Sequence, residues 1–162
     1  MANNAVSDTG PILHLTEINF IKSLEIFSSV LIPEEVSNEL RKHGIKIPRS
    51  VKIKTLNSQS KDRVKVLTNQ HSIDSGEAEA IALALQEKAS YFLTDDLEAR
   101  RVAKNYNLET HGTVGVVLRA FRDKLINKRD AIEKTRSLKN NSSLFITQDL
   151  ISEAIKAIEE FS

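Results

Sequence analysis

The chain has 162 residues, 40% of them hydrophobic and 28% charged, with a formal net charge of +1. That length fits one domain around one substantial core, and the near-neutral balance means that any nucleic-acid contact must come from a local basic patch. With no cysteine, the chain has no disulfide, thiolate metal site or cysteine nucleophile.

Aromatic residues make up 5% of the chain and tryptophan is absent, which argues against an aromatic platform for stacking single-stranded nucleic acid. The opening MANNAVSDTG has neither a basic n-region nor an apolar h-region. No apolar run approaches membrane-spanning length. The expectation is a cytoplasmic protein with no membrane partner.

In chain order, Ala5-Val6-Ser7 is a short strand, ended by a turn at Asp8-Thr9-Gly10-Pro11. Residues 12–21 read as a helix, with Ile12, Leu15, Ile18 and Ile21 on one face. Ser29-Val30-Leu31-Ile32 is a second strand, closed by Pro33. A helix starts at Glu34, where Glu34 and Glu35 suit its dipole. RKHGIKIPRS, residues 41–50, is a basic loop broken by Gly44 and Pro48, and residues 51–56 alternate as a half-exposed strand should. A polar stretch follows.

Asp74-Ser75-Gly76-Glu77 opens a helix that is alanine-rich and apolar on most sides through Leu85, and therefore buried. Tyr91-Phe92-Leu93-Thr94 is the clearest buried strand, with Asp95-Asp96 at its carboxyl end. A helix over 97–105, a short strand over 108–110 and a helix over 113–124 come next. Residues 129–137 and 148–161 are helical by period. Strands alternating with helices predict a mainly parallel sheet covered on both faces, whose functional crevice lies beyond the strands' carboxyl ends. The expected organisation is one domain over 1–162, with a core at about 5–125 and C-terminal helices at about 129–161.

That crevice gathers acids. Asp8 and the Asp95-Asp96 pair follow strands, Glu77 opens a buried helix, and Glu39 lies between Val36 and Leu40 on the helix after the second strand. Taken singly, each has an ordinary explanation. Asp8 and one of Asp95 or Asp96 could cap helices, Glu77 could complement a helix dipole, and Glu39 could be a solvated helix residue. Asp74 and Glu79 read as a cap and a helix-surface acid. Taken together at one sheet edge, the acids suit a hard divalent cation, Mg2+ or Mn2+, which prefers oxygen ligands.

Asp8-Thr9-Gly10 also spells the aspartic-protease triplet, but that reading needs two copies on a β-rich scaffold and the chain has one copy among helices. A phosphoaspartate receiver would place paired acids on its first strand and a lysine on its last. Neither is present. No GxxxxGK[ST] or GxGxxG occurs.

The motifs VSDTGPILHL, LIPEEVSNEL, DSGEAEAIALALQEKASYFLTDDLEARRVA and HGTVGVVLRAF resemble a PIN-domain protein over roughly residues 5–160, and more narrowly the prokaryotic branch that contains toxin ribonucleases. The resemblance implies a three-layer α/β/α sandwich with a mainly parallel central sheet and a helical C-terminal tail. It also implies Mg2+- or Mn2+-dependent endoribonuclease activity, an RNA substrate, a small antitoxin partner and a homodimer. Motif by motif, the catalytic acids are Asp8, Glu39 in SNEL, Glu77 in SGEAEA and one acid of TDDLEARR. The general PIN pattern, Thr-any-Asp, selects Asp96, whereas the narrower branch favours Asp95. The expectation is Asp95, with Asp96 retained, and Asp8, Glu77, Asp95 and Asp96 as metal ligands. Thr9 and Thr94 would support waters or ligand carboxylates.

Candidate RNA-facing cations are Arg41, Lys42, Lys46, Arg49, Arg100 and Arg101. Any one of them, like Lys52 and Lys54, is better explained singly as solvated surface. The alternative function is a PIN-fold nucleic-acid-binding or protein-interaction module with little or no nuclease activity.

Overall fold

The computed structural model describes residues 3–161. Five strands, β1 (Asn4–Ser7), β2 (Ser29–Ile32), β3 (Val51–Ile53), β4 (Tyr91–Leu93) and β5 (Glu109–His111), form one sheet in the order β3-β2-β1-β4-β5. Every pairing is parallel, with Ala5 of β1 in register with Val30 on one side and Tyr91 on the other. Helices flank this sheet as an α/β/α sandwich. They are α1 (Thr9–Glu17), α2 (Glu34–Lys42), α3 (Ser58–Gln70), α4 (Ser75–Gln86), α5 (Leu97–Asn105), α6 (Thr113–Arg122), α7 (Lys128–Asn140) and α8 (Gln148–Glu160). A short 3-10 segment, Ile21–Ile26, leads into β2.

The strand order decides where a ligand can enter. From β1 the chain steps outward through β2 to β3, then returns through α3 and α4 to β4 on the other side of β1. The direction of winding therefore reverses between β1 and β4, and at such a switch point the connecting segments diverge and leave a crevice at the strands' carboxyl ends. Asp8 leaves β1 and Asp95-Asp96 leave β4 at that crevice. The Asp8 N–H donates to Leu93 O at 2.8 Å, tying the two strand ends together.

The expected elements recur with instructive differences. Helix α1 begins at Thr9, three residues before the expected start, because Asp8 caps it and Pro11 sits in its first turn. Proline is tolerated there, since the N–H it lacks has no intrahelical acceptor. The helix ends early, and Asn19 turns the chain in the left-handed region (φ 56). The polar stretch before Asp74 is α3, capped by Asn57 and burying only Ser60 and Leu67. So small a buried face leaves little periodic signal. Strand β3 is shorter than residues 51–56, and Ile53 is exposed on this edge strand. Helix α4 matches its apolar sequence, with Ala78, Ala80, Ile81, Ala82, Leu83 and Ala84 all fully buried.

Candidate active site at the carboxyl edge of the sheet

Asp8 is held by its own helix and by β4. Its Oδ1 accepts the Thr9 N–H at 2.8 Å, the N-cap bond of α1, and its Oδ2 accepts the Thr94 hydroxyl at 3.1 Å. Only 7% of Asp8 is exposed. Burial raises its pKa to about 7, against the lowering effect of the Thr9 and Thr94 hydrogen bonds, and the nearby carboxylates of Asp74 and Glu39 push in the same direction as burial.

Glu77 occupies the third position of α4 in a capping box. Asp74 Oδ1 accepts the Glu77 N–H at 2.8 Å, and Glu77 Oε1 accepts the Asp74 N–H at 2.9 Å. The cap reading of Asp74 is correct, but it covers only part of its position. Burial raises Glu77 to about 8; the Asp74 backbone bond opposes this, and the charges of Asp8, Asp74 and Asp96 add to it. Asp8, Asp74, Glu77 and Asp96 therefore feel one another electrostatically, although they come from three separate segments.

Glu39 reaches the same region from α2. Its Oε2 accepts the Thr9 hydroxyl at 2.6 Å. Its other oxygen lies where a side chain on Gly76 would be, since a Cβ there would stand 2.3 Å from Glu39 Oε1. Glycine at 76 thus lets a carboxylate from α2 lie against the N-terminus of α4, where the helix dipole favours negative charge.

The two acids after β4 diverge. Asp95 turns inward: Oδ1 accepts the Thr113 N–H at 2.7 Å, and Oδ2 accepts the Thr113 hydroxyl at 2.5 Å and lies 2.7 Å from His14 Nδ1. Burial would raise its pKa, but the hydrogen bonds from His14 and Thr113 outweigh burial and hold it below the usual value. Asp96 turns outward as the N-cap of α5, with Oδ1 accepting the Ala99 N–H at 2.8 Å. Its own N–H donates to Thr94 Oγ1 at 3.2 Å. Thr94 therefore bridges Asp8 and the backbone of Asp96 through one hydroxyl. Both Asp95 oxygens are spent on protein donors, whereas Asp96 Oδ2 has no such bond among the described residues.

Asp8 and Asp96 open onto a cleft of about 1110 Å³. His14, Asp95, Arg100 and His111 form the rest of its polar wall, and Leu97, Val114, Leu118, Phe145 and Leu150 form its apolar wall. Glu39 and Glu77 do not line it. Of the expected cations, only Arg100 lines the cleft. Arg101 is paired with Glu98, and Arg41, Lys42, Lys46 and Arg49 are exposed at the end of α2 and in the loop before β3. Arg49 lies at the amino edge of β3, away from the acids. A second groove of about 790 Å³, between α7 and α8, mixes Lys128, Arg129 and Arg136 with Glu133 and Glu159 and holds none of these groups.

Does this donor set fit a divalent cation? Among the described residues, none of Asp8, Glu39, Glu77 and Asp96 is ion-paired with a lysine, arginine or histidine. Asp8 and Glu77 are buried, and buried carboxylates without a counter-charge are unfavourable; an oxygen-only donor set suits a hard cation that keeps several waters. Among the described residues no three acidic or imidazole groups lie together so that they alone could hold a metal ion. The residues fit a water-rich Mg2+ or Mn2+ better than a fully protein-ligated ion.

An all-parallel sheet of this order, with carboxylates gathered at its switch point, is the architecture of the PIN class, generally a nuclease fold whose members typically bind divalent metals. The model of the DUF3368 PIN-domain family matches residues 4–160, and the chain belongs to that family. No curated protein matches it. Among solved structures, a PilT N-terminus domain protein from the hyperthermophilic archaeon Sulfolobus solfataricus P2 is similar, with a TM-score of 0.55 and 18% identity over 70% of this chain and 89% of that one. That likeness concerns the fold.

Three features escaped the sequence reading. His14 sits in the quoted VSDTGPILHL and Thr113 in HGTVGVVLRAF, so both lay within recognised motifs but carried no role. Gly112, also in the second motif, admits Arg100 and Asp95. A Cβ there would stand 2.6 Å from Arg100 Nη2 and 2.9 Å from Asp95 Oδ1.

Proposed function

We propose that the protein is a Mg2+- or Mn2+-dependent endoribonuclease of the PIN type, acting in the cytoplasm as the toxin of a toxin–antitoxin pair. The observation that carries the enzymatic part is the uncompensated carboxylate cluster of Asp8, Glu77 and Asp96 at the switch-point crevice. The toxin role, the small antitoxin and the homodimer are supported only by the motif resemblance.

When bound, a hard cation would neutralise the acids, lower the pKa of water and offset charge on the phosphodiester oxygens. The chain's own residues do the rest. Asp8 and Asp96 offer oxygens to the cation at the cleft surface, held in register by Thr94, with Glu77 behind them. Glu39 is fixed by Thr9 and by the space at Gly76 and adds negative charge on the α2 side. In this assignment Asp95 orients His14 and anchors α6, so Asp96 replaces it as the ligand after β4.

Incubation of the purified chain with structured RNA, with and without Mn2+, tests the reading. Expected are metal-dependent internal cuts that Asp8→Asn abolishes. Binding of RNA without cleavage at any Mn2+ or Mg2+ concentration would assign the non-catalytic module instead.

A further inference from the structure

Charge is unevenly shared along the chain. Residues 41–70 hold nine of the 23 lysines and arginines and one of the 22 acids, Asp62, which leaves 14 cations against 21 acids elsewhere. Most of the chain therefore repels a polyanion, and this stretch attracts one.

The first half of the stretch, from the end of α2 through β3, carries Arg41, Lys42, Lys46, Arg49, Lys52 and Lys54 with no acid, and all six are exposed. Lys54 lies 3.7 Å from Glu87, and none of the other five has an ion-pair partner among the described residues. The backbone that carries them is well tied. Gly44, at φ 74, ends α2 with its N–H donating to Arg41 O and the Ile45 N–H donating to Leu40 O, both at 2.9 Å, the paired bonds of a Schellman end. Ile45 and Ile47 pack against the core with exposed Lys46 between them, and the Val51 N–H donates to Pro48 O at 3.0 Å. The helix dipole accounts for Arg41 and Lys42, and protection of an edge strand accounts for Lys52 and Lys54. Neither accounts for Lys46 and Arg49, or for the missing acids.

None of the six lines the cleft. Val51 is level with Ala5 through Val30, so it stands two strand spacings from β1 and three residues behind Asp8, a separation of roughly 14 Å. Phosphates recur roughly every 3.4 Å along each strand of a duplex, so about four of them separate the two places.

We infer that this edge is a second RNA contact outside the cleft, a phosphate-binding surface that holds a paired arm of the substrate. The inference rests on the nuclease reading for the identity of the polyanion. It adds the substrate class, a folded RNA that reaches from the acids to the β3 edge rather than a short oligonucleotide. Residues 41–70 contain no Phe, Tyr or Trp, so they stack no bases and meet the strand through its phosphates. A duplex offers the denser row of phosphates. An acidic protein would want an apolar centre beside the charges, and over residues 41–54 Ile53 is the one exposed large hydrophobic.

The full chain is titrated in EDTA, without metal, with a fluorescent RNA hairpin at several salt concentrations. Lys46→Gln/Arg49→Gln/Lys52→Gln is expected to weaken hairpin binding at least about tenfold at low salt and to reduce the slope of log affinity against log salt by about two to three. Arg129→Gln/Arg136→Gln/Lys139→Gln removes the same charge from α7, and the slope is expected to change by less than about one. All six of these side chains are exposed and without an ion pair among the described residues, and unchanged melting temperatures show that both triples fold. Equal losses in the two triples would overturn the inference, because net charge alone would then set the affinity. So would unchanged hairpin binding by the first triple, the outcome expected if the edge docks an acidic protein. A loss as large for an unpaired RNA of the same length would overturn the paired arm. A wild-type cleavage assay with Mn2+ runs in parallel. Cleavage with equal losses sinks this inference alone, and a loss confined to the first triple without any cleavage sinks the nuclease reading alone.

Discussion

Two regions meet at the carboxyl edge of the sheet, and they handle charge in opposite ways. On one side Asp8, Glu77 and Asp96, with Asp74 and Glu39 near them, repel one another and lack a cation. On the other, Asp95 is surrounded by donors from His14 and Thr113 and is held ionised. Asp95 and Asp96 are chain neighbours, yet one belongs to each region. Residue type alone therefore does not separate the two acids. What separates them is whether the protein has already used their oxygens.

The comparison is broken most severely from the acid side. Asp8→Asn and Glu77→Gln are expected to reduce metal-dependent cleavage by more than the roughly hundredfold that a change in the supporting shell of a metal site costs. At a pH above about 8, where both groups are ionised, the same substitutions should stabilise the metal-free protein, because each removes a buried, uncompensated charge. Melting temperature without metal checks that opposite sign.

The pH dependence follows from the same groups. Folding raises Asp8 from 3.8 to about 7 and Glu77 from 4.5 to about 8. The folded state therefore binds more protons than the unfolded state between those values, and stability must fall as pH rises through that window. Metal-free protein is expected to melt at progressively lower temperature from about pH 5 to about pH 8, at a cost on the order of a few kcal/mol. Added Mn2+ should flatten the profile by replacing the protons. A metal-free profile that rises over that range would contradict the cluster.

The adjacent pair sharpens the comparison further. Asp95→Asn is expected to destabilise the fold by about 1–3 kcal/mol, through the loss of charge-assisted bonds to His14 and Thr113, visible in denaturant melts. Asp96→Asn keeps a good N-cap for α5 and should change stability by less than about 0.5 kcal/mol while weakening cation binding. The smallest effect belongs to Arg101→Ala. Its pair with Glu98 lies at the surface, and neither melting temperature nor RNA affinity should change measurably.

Much of the fold is legible in the sequence, since strong apolar runs such as Phe92-Leu93 and the alanine-rich α4 declare themselves. Helix α3 does not, because a helix that buries only Ser60 and Leu67 leaves almost no pattern. The start of α1 hides behind Pro11, which looks like a break until Asp8 is seen to cap the turn. The acids could be identified as a group, but the division between Asp95 and Asp96 could not. It depends on His14, 81 positions away in sequence, and on Thr113, 18 away. The role of Gly76 has the same origin, since its missing side chain makes room for Glu39 from another helix. Such facts arise from tertiary proximity, and neither local propensity nor periodicity encodes them.

The most direct test of the central claim is a Mn2+ titration, followed by electron paramagnetic resonance, of wild type, Asp96→Asn and Asp95→Asn side by side at a pH above about 8, where the acids are ionised. The account predicts that wild type and Asp95→Asn bind Mn2+ with similar affinity and that Asp96→Asn binds it at least about tenfold more weakly. Loss of binding in Asp95→Asn with retention in Asp96→Asn would contradict it.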